Sequence, residues 1–205
     1  MSFAKIIPMA FVMIAGPQIL SAIFLATSES WRKNSIAYVS GAALSITAIV
    51  TVAFFVGDGA SDQGASNDAL YIVVLVLLVA AALHTFMTRK TAEPPKWMGR
   101  LQTATPSFSF KLGFLLLGVF PTDILTSFAV GTYLATHGDP WWHLLPFLFV
   151  TLLLLALPMI LLFAFGDRAQ AFLPKARDWM NTNSWVVSEI VIGLFIVITL
   201  NSLAG

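Results

Sequence analysis

Six apolar stretches of membrane-spanning length dominate this sequence, at residues 6–26, 36–56, 70–87, 112–134, 142–165 and 185–203. A helix needs roughly 20 apolar residues to cross the ~30 Å hydrocarbon core of a bilayer. Hydrophobic residues make up 58% of the chain and charged residues only 10%, whereas a soluble domain has about 45–50% and about 25%. The sequence therefore predicts an all-α integral membrane protein with six transmembrane helices in one domain, residues 1–205.

Lysine and arginine occur only in alternate connections between these stretches. The basic connections contain Arg32 and Lys33; then Arg89, Lys90, Lys96, Arg100 and Lys111; and then Arg168, Lys175 and Arg177. The other two connections contain aspartates but no Lys or Arg. Because basic connections stay in the cytoplasm, we expect a cytoplasmic linker at residues 91–105. Both termini are then expected outside the cytoplasm, with the chain in the inner (plasma) membrane.

A weak internal repeat appears when the chain is shifted by 105 residues. The segment GPQILSA at residues 16–22 then aligns with PTDILTS at residues 121–127. Each copy has a mid-span proline, a polar residue soon after it, Ile-Leu and two small residues. Since the aligned spans cross the membrane in opposite directions, residues 1–90 and 106–205 are predicted to form 3+3 inverted repeats, which are typical of secondary transporters.

The repeat predicts that helices 1 and 4 are broken at Pro17 and Pro121, because a proline removes a backbone hydrogen bond and clashes with the preceding turn. Freed backbone groups cannot face lipid, so both breaks are expected to point into the protein. The predicted substrate-binding residues are Gly16, Pro17, Gln18, Ser21, Pro121, Thr122, Asp123, Thr126 and Ser127. The alternative is that both prolines are simple packing kinks, since proline is common in membrane helices.

Asp123 is the only acidic residue deep inside a predicted span. A charged side chain there costs about 2.5–3.5 kcal/mol on insertion scales, and such residues usually have a function. We expect Asp123 to couple transport to protons or to bind substrate, and the alternative is that it caps the helix that restarts after Pro121. Gln18 is its counterpart in the first half, either binding cargo or bridging helices.

Other chemistries find little support in the sequence. The chain has no cysteine, so thiol redox chemistry and thiolate metal sites are excluded. His137 and His143 flank Asp139, but a structural zinc site needs four ligands. No G-x-S-x-G or H-E-x-x-H motif occurs. We therefore expect neither an enzyme nor a bound metal or cofactor, and the charge pattern gives no sign of nucleic-acid binding.

Several short motifs resemble the lysine-exporter superfamily. They are Gly16-Pro17-Gln18, Ser28-Glu29-Ser30-Trp31-Arg32-Lys33 and Tyr38-Val39-Ser40-Gly41. Pro95-Lys96-Trp97 and Gly118-Val119-Phe120-Pro121-Thr122-Asp123 resemble one branch, the GAP family of glycopeptidolipid- or sulfolipid-addressing proteins. The resemblance implies six spans in inverted repeats, export, and a lipid or glycolipid cargo. One departure is Phe-Pro-Thr-Asp at the second break, where many relatives have an Asn-Pro pair.

Together these features predict a transporter that moves a lipid, glycolipid or small amphipathic metabolite through a site between broken helices 1 and 4. Two alternatives stay open at this point, a non-transporting accessory or scaffold protein of an envelope-lipid pathway, and an amino-acid or ion exporter. The expected partners are membrane lipids and the small-molecule or lipid cargo, and homo-oligomer formation is left open.

Overall fold

The computed structural model describes residues 3–14, 16–58 and 96–183, with isolated positions 87, 186, 189, 193, 196, 197 and 200. Seven α-helices lie within the three continuous ranges: α1 (Phe3–Ile14), α2 (Pro17–Ala26), α3 (Trp31–Asp58), α4 (Pro106–Val119), α5 (Pro121–Thr136), α6 (Leu145–Phe165) and α7 (Asp167–Thr182). Two 3-10 helices, Lys96–Thr103 and Trp141–Leu144, precede α4 and α6. No strand occurs in these ranges.

Two uninterrupted helical stretches of the described chain can cross a bilayer, Trp31–Val56 and Trp141–Phe165. The pair formed by α4 and α5 passes the same test as one span bent by 67°. Many large apolar side chains on these helices are exposed, including Val52, Phe149 and Leu125, as expected where lipid covers the surface. The prediction of a helical membrane protein is thus confirmed. Predicted span 70–87, except Met87, and most of 185–203 lie outside the described residues, so six spans and the repeat stay predictions.

Both predicted proline breaks are present in the backbone. Pro17 and Pro121 are each the first residue of a new helix, a position where the missing N–H costs nothing and the fixed φ suits the helix. Gly16 precedes α2 with φ +96° and ψ −135°, a conformation that is essentially restricted to glycine. The prolines therefore start half-helices instead of kinking continuous ones.

The long helix α3 is the support along which α4 and α5 lie. Glycines set the spacing of these helices. A Cβ on Gly113 would overlap the Tyr38 carbonyl oxygen, and one on Gly131 would overlap the Val50 carbonyl oxygen, so both would clash with the α3 backbone. Such close backbone approach is typical of small residues at membrane helix interfaces. The two halves of the broken helix are consequently held against one long helix.

The connection expected between spans five and six contains a helix, α7, that was not predicted from the sequence. Its Ala169 and Leu173 are buried and pack with Ile23, Ala26 and Leu162 of α2 and α6. An apolar stripe one turn apart is the usual pattern of an amphipathic helix. Charged residues and the interior Pro174 hid this pattern in the sequence.

Candidate functional site

The N-terminal ends of the half-helices α2 and α5 meet through two side chains. Gln18 is the second residue of α2 and Asp123 the third residue of α5. Gln18 Nε2 donates a hydrogen bond to Asp123 Oδ2 across 2.5 Å. The predicted proximity of these residues, 105 positions apart, is therefore present in the structure, and both helix ends direct their positive dipole ends towards the contact region.

The Gln18–Asp123 pair is buried, and only some of its polar atoms have hydrogen-bond partners. Gln18 is 1% exposed and Asp123 is 0% exposed. Gln18 Oε1 and Asp123 Oδ1 are both buried without a hydrogen-bond partner. Unsatisfied buried polar atoms are rare because each costs about 1–3 kcal/mol. Two such atoms on one pair leave two hydrogen-bond acceptors open at this contact.

Tyr38 of α3 also contacts the first turn of α2 beside this pair. Its hydroxyl donates to the backbone carbonyl of Gln18 across 2.9 Å, and the residue is fully buried. In the sequence, Tyr38 stands out only as part of a motif that resembles a known family. Its position near the start of a predicted span gives no signal that its hydroxyl would reach α2, because the contact depends on how α2 and α3 pack.

The predicted hydroxyl residues are buried but bonded locally. Ser21 donates to the Pro17 carbonyl at 2.6 Å and Thr126 to the Thr122 carbonyl at 2.7 Å, the usual i−4 bond of Ser and Thr in helices. Ser127 Oγ contacts Met13 Sδ at 3.9 Å, which joins α1 to α5. The Thr122 side chain is exposed and lies beside the Asp123 carboxylate, at the edge of the buried contact.

The capping interpretation of Asp123 finds no support in its contacts. Phe120 occupies the N-cap position of α5 and makes no side-chain cap bond. The described hydrogen bond of the Asp123 carboxylate goes to Gln18 on another helix, and its second oxygen has none. A negative charge in the first helical turn is still favourable electrostatically, but the carboxyl links two helices and does not cap one.

The histidines His137 and His143 do not form part of this arrangement. His143 Nδ1 lies 3.3 Å from Asp139 Oδ1, and His137 stacks on Tyr133. Within the described part of the chain, no group of three or more His, Asp or Glu side chains is placed to hold a metal ion.

Fold and site together define a helical membrane protein in which a buried amide–carboxyl pair joins two broken helices. A protein-family model described as "Sap, sulfolipid-1-addressing protein" matches residues 6–202. The chain belongs to this family. The resemblance to the GAP family is thereby supported, while membership of the lysine-exporter superfamily stays a prediction. No curated protein and no solved structure matches the chain.

Proposed function

We propose that this protein moves a lipid or glycolipid across the membrane through a site between α1–α2 and α4–α5, with Asp123 as the proton-coupling carboxyl. The observation that carries the proposal is the buried Gln18–Asp123 bond at two helix breaks. Family membership supports a lipid-related role. Broken helices that meet inside the membrane are typical of transporter binding sites.

The unsatisfied atoms of the pair indicate the chemistry of the cargo. Gln18 Oε1 and Asp123 Oδ1 are both acceptors when the carboxyl is ionised. A cargo headgroup with several hydroxyl donors, such as a sugar, would satisfy both acceptors at once. A headgroup that offers only acceptors would leave them unpaired, so we expect hydroxyl-bearing lipids to be preferred.

Protonation of Asp123 supplies a donor in the absence of cargo. A proton on the carboxyl converts one of its oxygens from an acceptor into a donor. Gln18 Oε1, the unpartnered acceptor of the neighbouring amide, is then available to receive it. Cargo and proton would thus compete for the same hydrogen-bonding groups, and this competition is the proposed basis of coupling.

Transport assays in proteoliposomes test this proposal. A fluorescent glycolipid is followed as it crosses the bilayer, at several pH values, with a phosphatidylcholine of the same label for comparison. We expect the wild type to favour the glycolipid and to vary with pH. Asp123→Asn keeps the shape but cannot titrate, so its rate should fall by at least about tenfold and lose its pH dependence. Asp139→Asn, the same change in an external turn, is the matched control.

Two results would contradict the proposal. If Asp123→Asn moved the glycolipid as fast as the wild type and with the same pH dependence, the carboxyl would not couple transport. If the wild type moved no lipid in any condition, a non-transporting accessory role would replace the transport function. Membrane orientation, with both termini outside the cytoplasm, belongs to the same proposal and rests on the Lys and Arg distribution.

A further inference from the structure

The corner between α6 and α7 contains an apolar groove with a cation at its edge. The chain turns at Gly166, with φ +50°, and α7 starts one residue later. The groove has a volume of about 200 Å³ and is lined by Leu161, Phe165, Arg168, Ala169 and Phe172. Arg168 is the one charged residue in this lining.

The exposed face of α7 also combines basic and large apolar side chains. Arg168, Phe172, Lys175 and Trp179 follow one another at spacings of four, three and four residues, so they share one face of the helix. All four are exposed, with Phe172 at 58% and Trp179 at 54%. We call these four residues the basic-aromatic stripe. Asp167 falls outside it by helical spacing, and Asp178, three residues after Lys175, is paired with Arg177 at 2.8 Å.

The α7 composition keeps this helix out of the hydrocarbon core. Five of its sixteen residues are charged, namely Asp167, Arg168, Lys175, Arg177 and Asp178. It nevertheless follows directly on the apolar helix α6 and packs against it. An amphipathic helix with cations and aromatic residues at the end of a span matches the pattern of helices that lie at the membrane interface.

We propose that the α6–α7 corner binds an anionic phospholipid. The acyl chain lies in the groove along Leu161, Phe165 and Phe172, and the headgroup phosphate contacts Arg168 and Lys175. Charge complementarity selects this occupant, because two exposed cations border an apolar surface at the end of a span. Arg177 is already engaged with Asp178 at 2.8 Å and with the Phe24 ring, so it lies outside the site.

Lipid binding is measured on the full chain in detergent by native mass spectrometry, with phosphatidylglycerol and phosphatidylcholine as probes. We expect the wild type to retain phosphatidylglycerol preferentially. Arg168→Gln/Lys175→Gln should weaken phosphatidylglycerol binding by at least about tenfold. Lys33→Gln/Lys111→Gln makes the same change in net charge at two exposed cations elsewhere and should bind like the wild type. Equal binding by both double variants would overturn the proposal.

Two further measurements distinguish lipid binding in the groove from nonspecific electrostatic attraction of anions. Brominated phosphatidylglycerol should quench a fluorescence component that Trp179→Phe removes, and absence of this component would place the lipid elsewhere and refute the site. Phe172→Ala should weaken phosphatidylglycerol binding. If glycerol phosphate alone displaced the lipid at equal concentration, the groove would contribute nothing and the proposal would fail. Because these assays measure binding and not lipid movement, their outcome is independent of the transport function.

Discussion

The second helix of each broken span begins with a proline, but the two helices, α2 and α5, lie in different surroundings. In α2 the residues from Leu20 to Ala26 are all buried, so protein encloses the half-helix on every side. In α5 one face is buried, with Asp123, Ser127, Val130 and Leu134 at helical spacing. The opposite face is open, with Leu125 68% exposed. Helix α2 therefore lies in the interior of the protein, and α5 lies at its surface.

This difference suggests which half moves if the site opens. Displacing α2 would disrupt contacts with α3, α6 and α7. Displacing α5 towards lipid would disturb mainly its packed face on α3, because its outer face is largely exposed among the described residues. Helix α4–α5 is positioned on α3 by glycine contacts, whereas α2 is positioned by side-chain burial. Each mode of support can be tested separately.

The largest effect is expected at the glycine contact of α4 with α3. In Gly113→Ala the new Cβ would overlap the Tyr38 carbonyl oxygen, so the helices must separate. We expect a loss of about 3 kcal/mol or more in the free energy of unfolding. Gly193→Ala is the control, because a Cβ there meets no atom of the described residues within 4 Å. Equal stability of the two variants, measured by denaturation in detergent, would show that backbone contact does not position α4.

The buried pair is expected to have the next largest effect. Gln18→Leu leaves the Asp123 carboxylate without its donor, and the free energy of unfolding should fall by about 1.5–3 kcal/mol. Asp123→Leu leaves a neutral amide unpaired and should cost less. The double variant should be more stable than the sum of the single effects predicts, since neither unpaired partner remains. Additive effects would mean that the pair does not join the two halves.

The break positions could be predicted from the sequence because proline chemistry is local. A missing N–H and a fixed φ act wherever the chain lies, and the alignment of the two halves distinguished Pro17 and Pro121 from Pro158 and Pro174, which lie inside helices. The Gln18–Asp123 contact followed from aligning the two halves. The function of this contact, like the inverted repeat, stays a prediction.

Other features depend on tertiary packing and could not be predicted. Ser21 and Thr126 were predicted to bind substrate, and that role stays a prediction. Their hydroxyls bond to carbonyls of their own helices, which sequence spacing does not determine. The Tyr38 bond to Gln18 requires the α2–α3 crossing. Helix α7 was interpreted as a connection because its charges outweighed the apolar positions Ala169 and Leu173 that dock it on α2 and α6.

A smaller loss of stability is expected at the first break, where the start of α2 depends on the backbone conformation of Gly16. A Cβ on Gly16 would lie 3.5 Å from Gln18 Oε1, an ordinary contact, so Gly16→Ala adds no clash. Its cost comes from φ +96° and should be about 1–2 kcal/mol. A loss as large as that of Gly113→Ala in the same denaturation assay would contradict the distinction between conformational support at the first break and steric support of α4 on α3.

The smallest effect is expected at Tyr38, which fixes the interior half-helix to α3. Tyr38→Phe keeps the packed ring but removes the donor to the Gln18 carbonyl. That carbonyl lies within α2, where the backbone bond of the next turn also uses it, so it is not left unsatisfied. We therefore expect a loss of about 0.5–1 kcal/mol. Tyr133→Phe, whose ring stacks on His137 at the end of α5, is the matched control. If the Tyr38 variant lost no more stability than the control, side-chain burial alone would position α2, and the contrast with the glycine-supported α4–α5 would become sharper.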